Sequence, residues 1–267
     1  MTDEVLRELV AARAQRLACA LVTIAATRGS VPRAAGAKML VFPDHRIVGT
    51  IGGGKFESLV IAEAHAALHA KAPVLKTYPL HDSDAASFGA ICGGEVTVFI
   101  EPQRITEALF LIGAGHCARA LGRLARDCGW HVSVVDDRVE LLAHFPADEQ
   151  FSGNATAFIR DRTWRADEAL VLVSRNYEID REALHAALVR CGMGYLGMIG
   201  SRRKVRQVFA DLAARGISEQ QLAQVFAPVG LDVGADSPGE IAASIMAEML
   251  QVFRGGTGGN LRTRESG

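Results

Sequence analysis

The sequence predicts an α/β protein, an N-terminal mixed α/β domain followed by a Rossmann-like domain with a doubly wound parallel sheet. Three observations carry this. Residues 109–118 read Leu-Phe-Leu-Ile-Gly-Ala-Gly-His-Cys-Ala, an apolar strand, a glycine turn and a helix start. After the helical stretch 120–125 comes a second apolar run, residues 131–135, ending in Asp136-Asp137. Together they make a βαβ unit with an acid at the end of its second strand. The chain of 267 residues is also long enough for two modest domains, and 49% of it is hydrophobic.

The elements follow in order. Residues 3–16 form a short amphipathic helix with Val5, Leu6, Leu9 and Ala12 near one face. A strand at 19–24 leads into a long loop, 27–38, broken by Gly, Ser and Pro and carrying three cations. Residues 39–42 and 47–51 form a hairpin around Pro43-Asp44-His45-Arg46. Gly52, Gly53 and Gly54 then open a helix to about residue 71. Three glycines before a helix suit either a nest of N–H groups for an anion or a plain flexible turn, and Glu57 suits a cap better than a ligand contact. Residues 73–80 form a strand, 81–90 are loop-like, and Ile91-Cys92-Gly93-Gly94-Glu95 leads into the alternating strand 96–100. Residues 101–104 form the linker. Beyond the βαβ unit, strands fall at 169–173 and 195–199 and helices at about 180–190 and 219–226. The last helix starts at Ser237-Pro238-Gly239-Glu240, with Ser237 at the N-cap, Pro238 at the first helical position and Glu240 closing a capping box. The domains are therefore 1–103 and 104–254, with a disordered, Gly-rich tail at 255–267.

Composition excludes several classes. The net charge is −1, so a nucleic-acid binder or a polybasic membrane module is not suggested. No apolar run reaches the length of a membrane span, and Met1-Thr2-Asp3-Glu4 lacks a signal-peptide pattern. The five cysteines include no C-x-x-C pair, so neither a disulfide framework nor a zinc knuckle is expected. A cytoplasmic location is the expectation.

The candidate chemistry lies at the turns. Gly113 permits the tight turn, Gly115 lets backbone N–H groups approach a diphosphate, and Ala118 allows close helix–strand packing. The helix N-terminus then faces an anion. Asp136 stands where a ribose diol is bound in such folds. The same turn equally suits a fold that keeps it for packing alone. Cys92 before two glycines offers a soft sulfur for a metal or for a transferable sulfur atom, against the plainer reading of a buried side chain. Ser201 suits an N-cap, and Arg202, Arg203 and Lys204 in the first turn oppose the helix dipole, which an anionic group there would offset.

Several stretches together resemble the xanthine dehydrogenase accessory family, XdhC/CoxI. They are Gly29-Ser30-Val31-Pro32-Arg33 with Gly36-Ala37-Lys38-Met39, Gly49-Thr50-Ile51-Gly52-Gly53-Gly54-x-x-Glu57, and Cys92-Gly93-Gly94 with Ile100-Glu101-Pro102. The second half adds Gly113-Ala114-Gly115-His116, Val134-Val135-Asp136-Asp137-Arg138, Ile199 to Lys204, and Ala227-Pro228-Val229-Gly230-Leu231-Asp232-x-Gly234. The resemblance covers all but the tail. It implies a protein that binds molybdenum cofactor (molybdopterin) and delivers it, sulfurated with the help of a cysteine desulfurase, to a molybdenum hydroxylase such as xanthine dehydrogenase. Such a protein is a non-catalytic chaperone, and a homodimer is left open. The cofactor-binding residues so implied are Gly52, Gly53, Gly54, Cys92, Gly93, Gly94, Gly113, Gly115, His116, Asp136, Ser201, Arg202, Arg203 and Lys204, with Cys92 also facing the metal. One departure stands out: Val173 is followed by Ser174-Arg175-Asn176-Tyr177, where a Thr-His pair is expected. The alternatives are an NAD(P)-dependent oxidoreductase, supported by the glycine fingerprint but lacking an obvious catalytic set, and a sulfur transferase using Cys92.

Overall fold

The computed structural model describes residues 2–80, 94–103 and 105–263, and the chain divides into two compact units, Met1–Ile105 and Thr106–Gly267. The first unit runs α1 (Thr2–Ala14), β1 (Cys19–Arg28), β2 (Lys38–Val41), β3 (Ile47–Gly49), α2 (Gly54–Ala70), β4 (Val74–Pro79) and β5 (Glu95–Gln103). Its five strands form an antiparallel sheet in the order β3-β2-β1-β5-β4. Alternation along the strands gives the sheet two apolar faces. Val22, Ile24, Val98 and Ile100 pack against Phe56, Val60 and Ala64 of α2. Cys19, Leu40 and Phe42 point the other way and take Val5 and Ala12 of α1. The apolar stripe of α1 is narrower than its sequence suggests, because Leu6 remains 42% exposed. The expected linker at 101–104 is also partly strand. Pro102 of β5 lies opposite Ala20, while the pairing with β4 stops at Ile100, so proline there withdraws no ladder donor from β4.

The second unit runs β6 (Ala108–Ile112), α3 (His116–Asp127), β7 (His131–Asp136), α4 (Val139–Leu142), β8 (Glu149–Ser152), α5 (Ala155–Asp161), β9 (Glu168–Leu172), α6 (Tyr177–Arg190), β10 (Tyr195–Met198), α7 (Arg202–Ala214), α8 (Glu219–Leu222) and α9 (Pro238–Arg254). All five strands are parallel, in the order β10-β9-β6-β7-β8. The chain moves outward from β6 to β8, then returns to the other side of β6. That reversal makes the gap between β6 and β9 the topological switch point of a doubly wound sheet. Both faces are covered, so β6 is apolar throughout. Leu109 and Leu111 join Leu121, Ile245 and Met249 on one side, whereas Phe110 and Ile112 join Ile159, Leu184 and Val208 on the other.

Sequence periodicity does not show β8. It is an edge strand, Glu-Gln-Phe-Ser, and three of its four residues are exposed. The helix expected over 219–226 shrinks to one turn because Phe226 leaves it to bridge Gly197. The capping box at Ser237 and Glu240 forms as expected, with Pro238 at the helix start. Of the tail expected to be disordered, residues 264–267 lie outside the described residues; in 255–263 Gly255 caps the helix in the left-handed region, Gln251 Nε2 donates to the Thr257 carbonyl, and a 3-10 turn spans Leu261–Thr263. Among the described residues no helix is long and apolar enough to cross a membrane.

Candidate functional site

In the second unit the loops that leave the carboxyl ends of β6, β7, β8, β9 and β10 lie along one edge of the sheet, where ligands of doubly wound folds bind. The glycine turn after β6 is built for that edge. Gly113 has φ +111°, and a Cβ there would lie 2.5 Å from the Val173 carbonyl oxygen, so the turn passes against the loop after β9 only as glycine. Gly115 is the N-cap of α3 and offers no side chain to its first N–H groups. A Cβ on Gly115 would meet nothing within 4 Å, and His116 beside it is exposed. The start of α3 is thus open.

Asp136 is placed differently from its expected role. Its side chain is 3% exposed. Ala114 N–H and Arg138 Nη2 donate to its Oδ2 at 2.7 Å each, while Arg138 N–H and Nε donate to Oδ1 at 2.9 and 2.8 Å. Burial opposes its ionisation, but the Arg138 guanidinium and the two backbone donors outweigh burial and hold the carboxyl at about 2. Four donors use its four lone-pair directions, so Asp136 fastens the turn to β7 and has none left for a ribose.

A cleft of about 420 Å³ opens beside it. Gly113 and Ile112 come from β6 and its turn, Asp137 and Arg138 follow β7, Asn154 and Thr156 follow β8, Ser174 and Arg175 follow β9, and Ile179 stands on α6. Asp137 is 53% exposed and meets Arg175 in a two-point pair, with Nη1 and Nη2 donating to Oδ1 and Oδ2 at 2.8 and 2.9 Å. Glu182 at the cleft wall is held below its usual range chiefly by the side chain of Arg215, against burial and with further help from Arg181. Apart from Gly113 and Asp136, sequence reasoning gave none of the cleft residues a role. The signal was present for Asp137 and Arg138, adjacent to Asp136, and for Gly153-Asn154 as a turn pair.

After β10, Ser201 Oγ accepts from Lys204 N–H at 3.2 Å and caps α7 as expected. Arg202 and Arg203 are exposed and have no protein partner among the described residues. Lys204 turns away from them and pairs with Asp180, whose side chain is fully buried on α6. It therefore locks two helices together instead of extending the exposed cationic turn.

The first-unit candidates are held by the chain itself. Glu57 Oε2 accepts from Ile51 N–H at 3.0 Å, from Gly53 N–H at 3.1 Å and from the Thr50 hydroxyl, while Gly52 N–H donates to Thr50 Oγ1 at 3.1 Å. The nest at Gly52, Gly53 and Gly54 already holds an anion, the carboxylate of its own helix. Gly94 is buried where a Cβ would lie 2.4 Å from the Ser30 carbonyl oxygen, so it serves close backbone approach. Cys92 and Gly93 lie outside the described residues. Among the described residues no three His, Cys, Asp or Glu side chains gather in a way that could hold a metal. Cys19 is buried, with its thiol pushed up to about 11 by that burial, whereas Cys128 and Cys191 are exposed.

Known proteins match this arrangement. The sequence model of the XdhC Rossmann domain matches residues 109–249, and that of the XdhC and CoxI family matches residues 12–79. An uncharacterized protein of Escherichia coli K12, YqeB, is 39% identical over 247 residues, covering 90% of this chain and 44% of its own length. A probable xanthine dehydrogenase subunit of Bacillus subtilis is 27% identical over 157 residues, covering 58% of this chain and 45% of its own length. The chain thus spans less than half the length of either relative. A crystal structure described as a xanthine dehydrogenase from Bacillus halodurans superimposes with a TM-score of 0.51 at 21% identity, covering 98% of both chains, and shows the same fold.

Proposed function

The chain belongs to the XdhC/CoxI family, and on that premise we propose that it is an accessory protein of a xanthine dehydrogenase-type molybdenum hydroxylase. In this reading it binds molybdenum cofactor and passes it, sulfurated by way of a cysteine desulfurase, to the client enzyme, with no turnover of its own. The observation that carries the reading is the open cationic turn at the carboxyl edge of the sheet. Arg202 and Arg203 face solvent without partners among the described residues, at the start of a helix whose cap is supplied by Ser201. Two cations at a helix N-terminus are unfavourable unless an anion joins them. The uncapped start of α3 lies along the same edge and offers further N–H donors.

Molybdopterin brings a phosphate for such donors and a dithiolene for the metal, and the residues present fit the phosphate end. Arg202, Arg203 and the N–H groups at the start of α3 are the groups that would hold it. Cys92 is retained as the candidate for the sulfur-bearing end.

Co-expression with molybdopterin synthesis, followed by oxidation of the purified protein, tests the reading by fluorescence of the released pterin. The parent should retain the pterin. Arg202→Ala with Arg203→Ala should lower retention tenfold or more, since each charge-assisted contact contributes about 1.5–3 kcal/mol. Cys92→Ala should reduce transfer to a cofactor-free client. A parent that carries no pterin and does not activate the client overturns the proposal, and nicotinamide retained through purification would favour the oxidoreductase instead.

A further inference from the structure

We propose that the cleft after β6–β9 binds a nucleotide whose ribose keeps its free 2′,3′-diol, and that Asp137, held by Arg175, is the residue that reads the diol. The inference concerns the second unit alone and does not depend on delivery of a pterin.

In doubly wound folds the acid at the end of the second strand accepts from a ribose, and here that strand is β7. Its final acid, Asp136, is saturated by Ala114 N–H and three donors of Arg138. The next residue takes over the exposed place. Asp137 lines the cleft and is 53% exposed. Arg175 donates once to each of its carboxylate oxygens, which leaves one lone-pair direction on each. Arg138 Nε stands off at 4.0 Å from Oδ1. A carboxylate with two parallel acceptor positions, oriented by a guanidinium, matches two neighbouring hydroxyls.

Charge decides between a diol and a 2′-phosphate. Four acids and two arginines line the cleft: Asp136, Asp137, Glu178 and Glu182 against Arg138 and Arg175. Both arginines are already engaged by carboxylates. Glu178 has no cationic partner among the described residues. A 2′-phosphate entering here meets excess negative charge, whereas hydroxyls meet acceptors. The rest of the lining supplies what a base needs: Ile112, Val135, Ala155 and Ile179 form an apolar wall beside the polar rim. Arg175 lies in the turn Ser174-Arg175-Asn176-Tyr177 after β9, so its pairing with Asp137 joins the loops on the two sides of β6 at the mouth of the cleft.

Calorimetry on the full chain with ADP, 2′-deoxy-ADP, 5′-AMP and 2′,5′-ADP tests the proposal. The parent should bind ADP at least tenfold more tightly than 2′-deoxy-ADP, and 2′,5′-ADP more weakly than 5′-AMP. Asp137→Asn should reduce the preference for ADP over 2′-deoxy-ADP to less than threefold, with an unchanged thermal transition, because the side chain is half in solvent. CDP and GDP run beside ADP identify the base, so a purine dinucleotide and a pyrimidine-bearing cofactor are told apart. A parent that binds none of these nucleotides, or that binds ADP and 2′-deoxy-ADP equally, overturns the proposal. So does an Asp137→Asn variant that keeps the full preference. None of these outcomes bears on pterin retention, so the delivery reading stands or falls separately.

Discussion

Two turns of this chain look alike in sequence and differ in what they leave open. Gly52-Gly53-Gly54 and Gly113-Ala114-Gly115 each follow a strand and open a helix. In the first unit the acid sits inside the helix that the turn begins, and Glu57 reaches back to take the N–H groups of Ile51 and Gly53. In the second unit the acid sits on the neighbouring strand, and Asp136 takes Ala114 N–H but leaves the first N–H groups of α3 without a side-chain cap. A glycine turn is therefore closed or open to a ligand according to where its nearest carboxylate is anchored. A carboxylate four residues on in the helix closes it, whereas one across the sheet fastens the turn and leaves the helix start exposed.

That contrast can be broken from either side. The largest effect is expected at Gly113→Ala, where a left-handed φ and a backbone oxygen 2.5 Å from the new Cβ combine. A loss of about 3 kcal/mol or more should appear in urea unfolding followed by tryptophan fluorescence. Both tryptophans, Trp130 and Trp164, lie in this unit. Gly115→Ala, with open space around the new methyl, should cost about 0.5–1 kcal/mol. If the two substitutions cost the same, the turn is not held against the loop after β9.

Next comes Glu57→Ala, which strips the acceptor from two backbone donors and a hydroxyl. About 2–3 kcal/mol should be lost in unfolding followed by circular dichroism, with Glu57→Gln restoring part of it. An unchanged midpoint would mean that water replaces the carboxylate at no cost. Somewhat smaller is the contribution of Asp136, on the order of 2 kcal/mol. Its carboxyl is held at about 2 in the folded protein against an ordinary 3.8. The stabilisation is therefore complete above pH 4 and is lost as pH falls towards 2, when the folded form must also take up the proton. Asp136→Asn should flatten that part of the stability–pH curve. A variant whose acid limb is as steep as the parent's would assign the loss to other carboxylates. The smallest effect on stability belongs to the double substitution Arg202→Ala, Arg203→Ala, within about 0.5 kcal/mol because both side chains are exposed. A large drop would show that the exposed turn supports the fold.

The legible parts of the molecule are those whose cause is local. Gly113 and Gly115 announce their turn by spacing, Ser237 and Glu240 their cap, and the apolar run at 108–112 a strand buried on both faces. What the sequence hides depends on partners that arrive from elsewhere. Lys204 looks like the third cation of an anion site until Asp180, 24 residues away, takes it inward. Asp136 looks like a ribose ligand until Arg138 folds back on it, and the exposed acid proves to be its neighbour. The strand β8 escapes notice because an edge strand needs only one apolar contact, supplied by Phe151 against the core. Cleft residues Asn154 and Thr156 follow that strand, so missing it hides them too.

The last helix has a consequence for the order in which the molecule is made. Ile245, Met246 and Met249 of α9 pack on Leu109, Leu111 and Val132. Phe253 closes edge-on against Trp130 with ring centroids 5.1 Å apart, and Arg254 pairs with Glu107 at the entrance to β6. The central strand of the second unit is thus covered on one face by residues made more than a hundred positions later. Such non-local closure is slow and leaves apolar surface waiting. During synthesis the sheet that completes at Gln103 can close while its successor is still growing. The parallel sheet, by contrast, has only α3 over that face of β6 until residue 254 has left the ribosome, and during that interval the nascent chain is exposed to chaperone capture and aggregation.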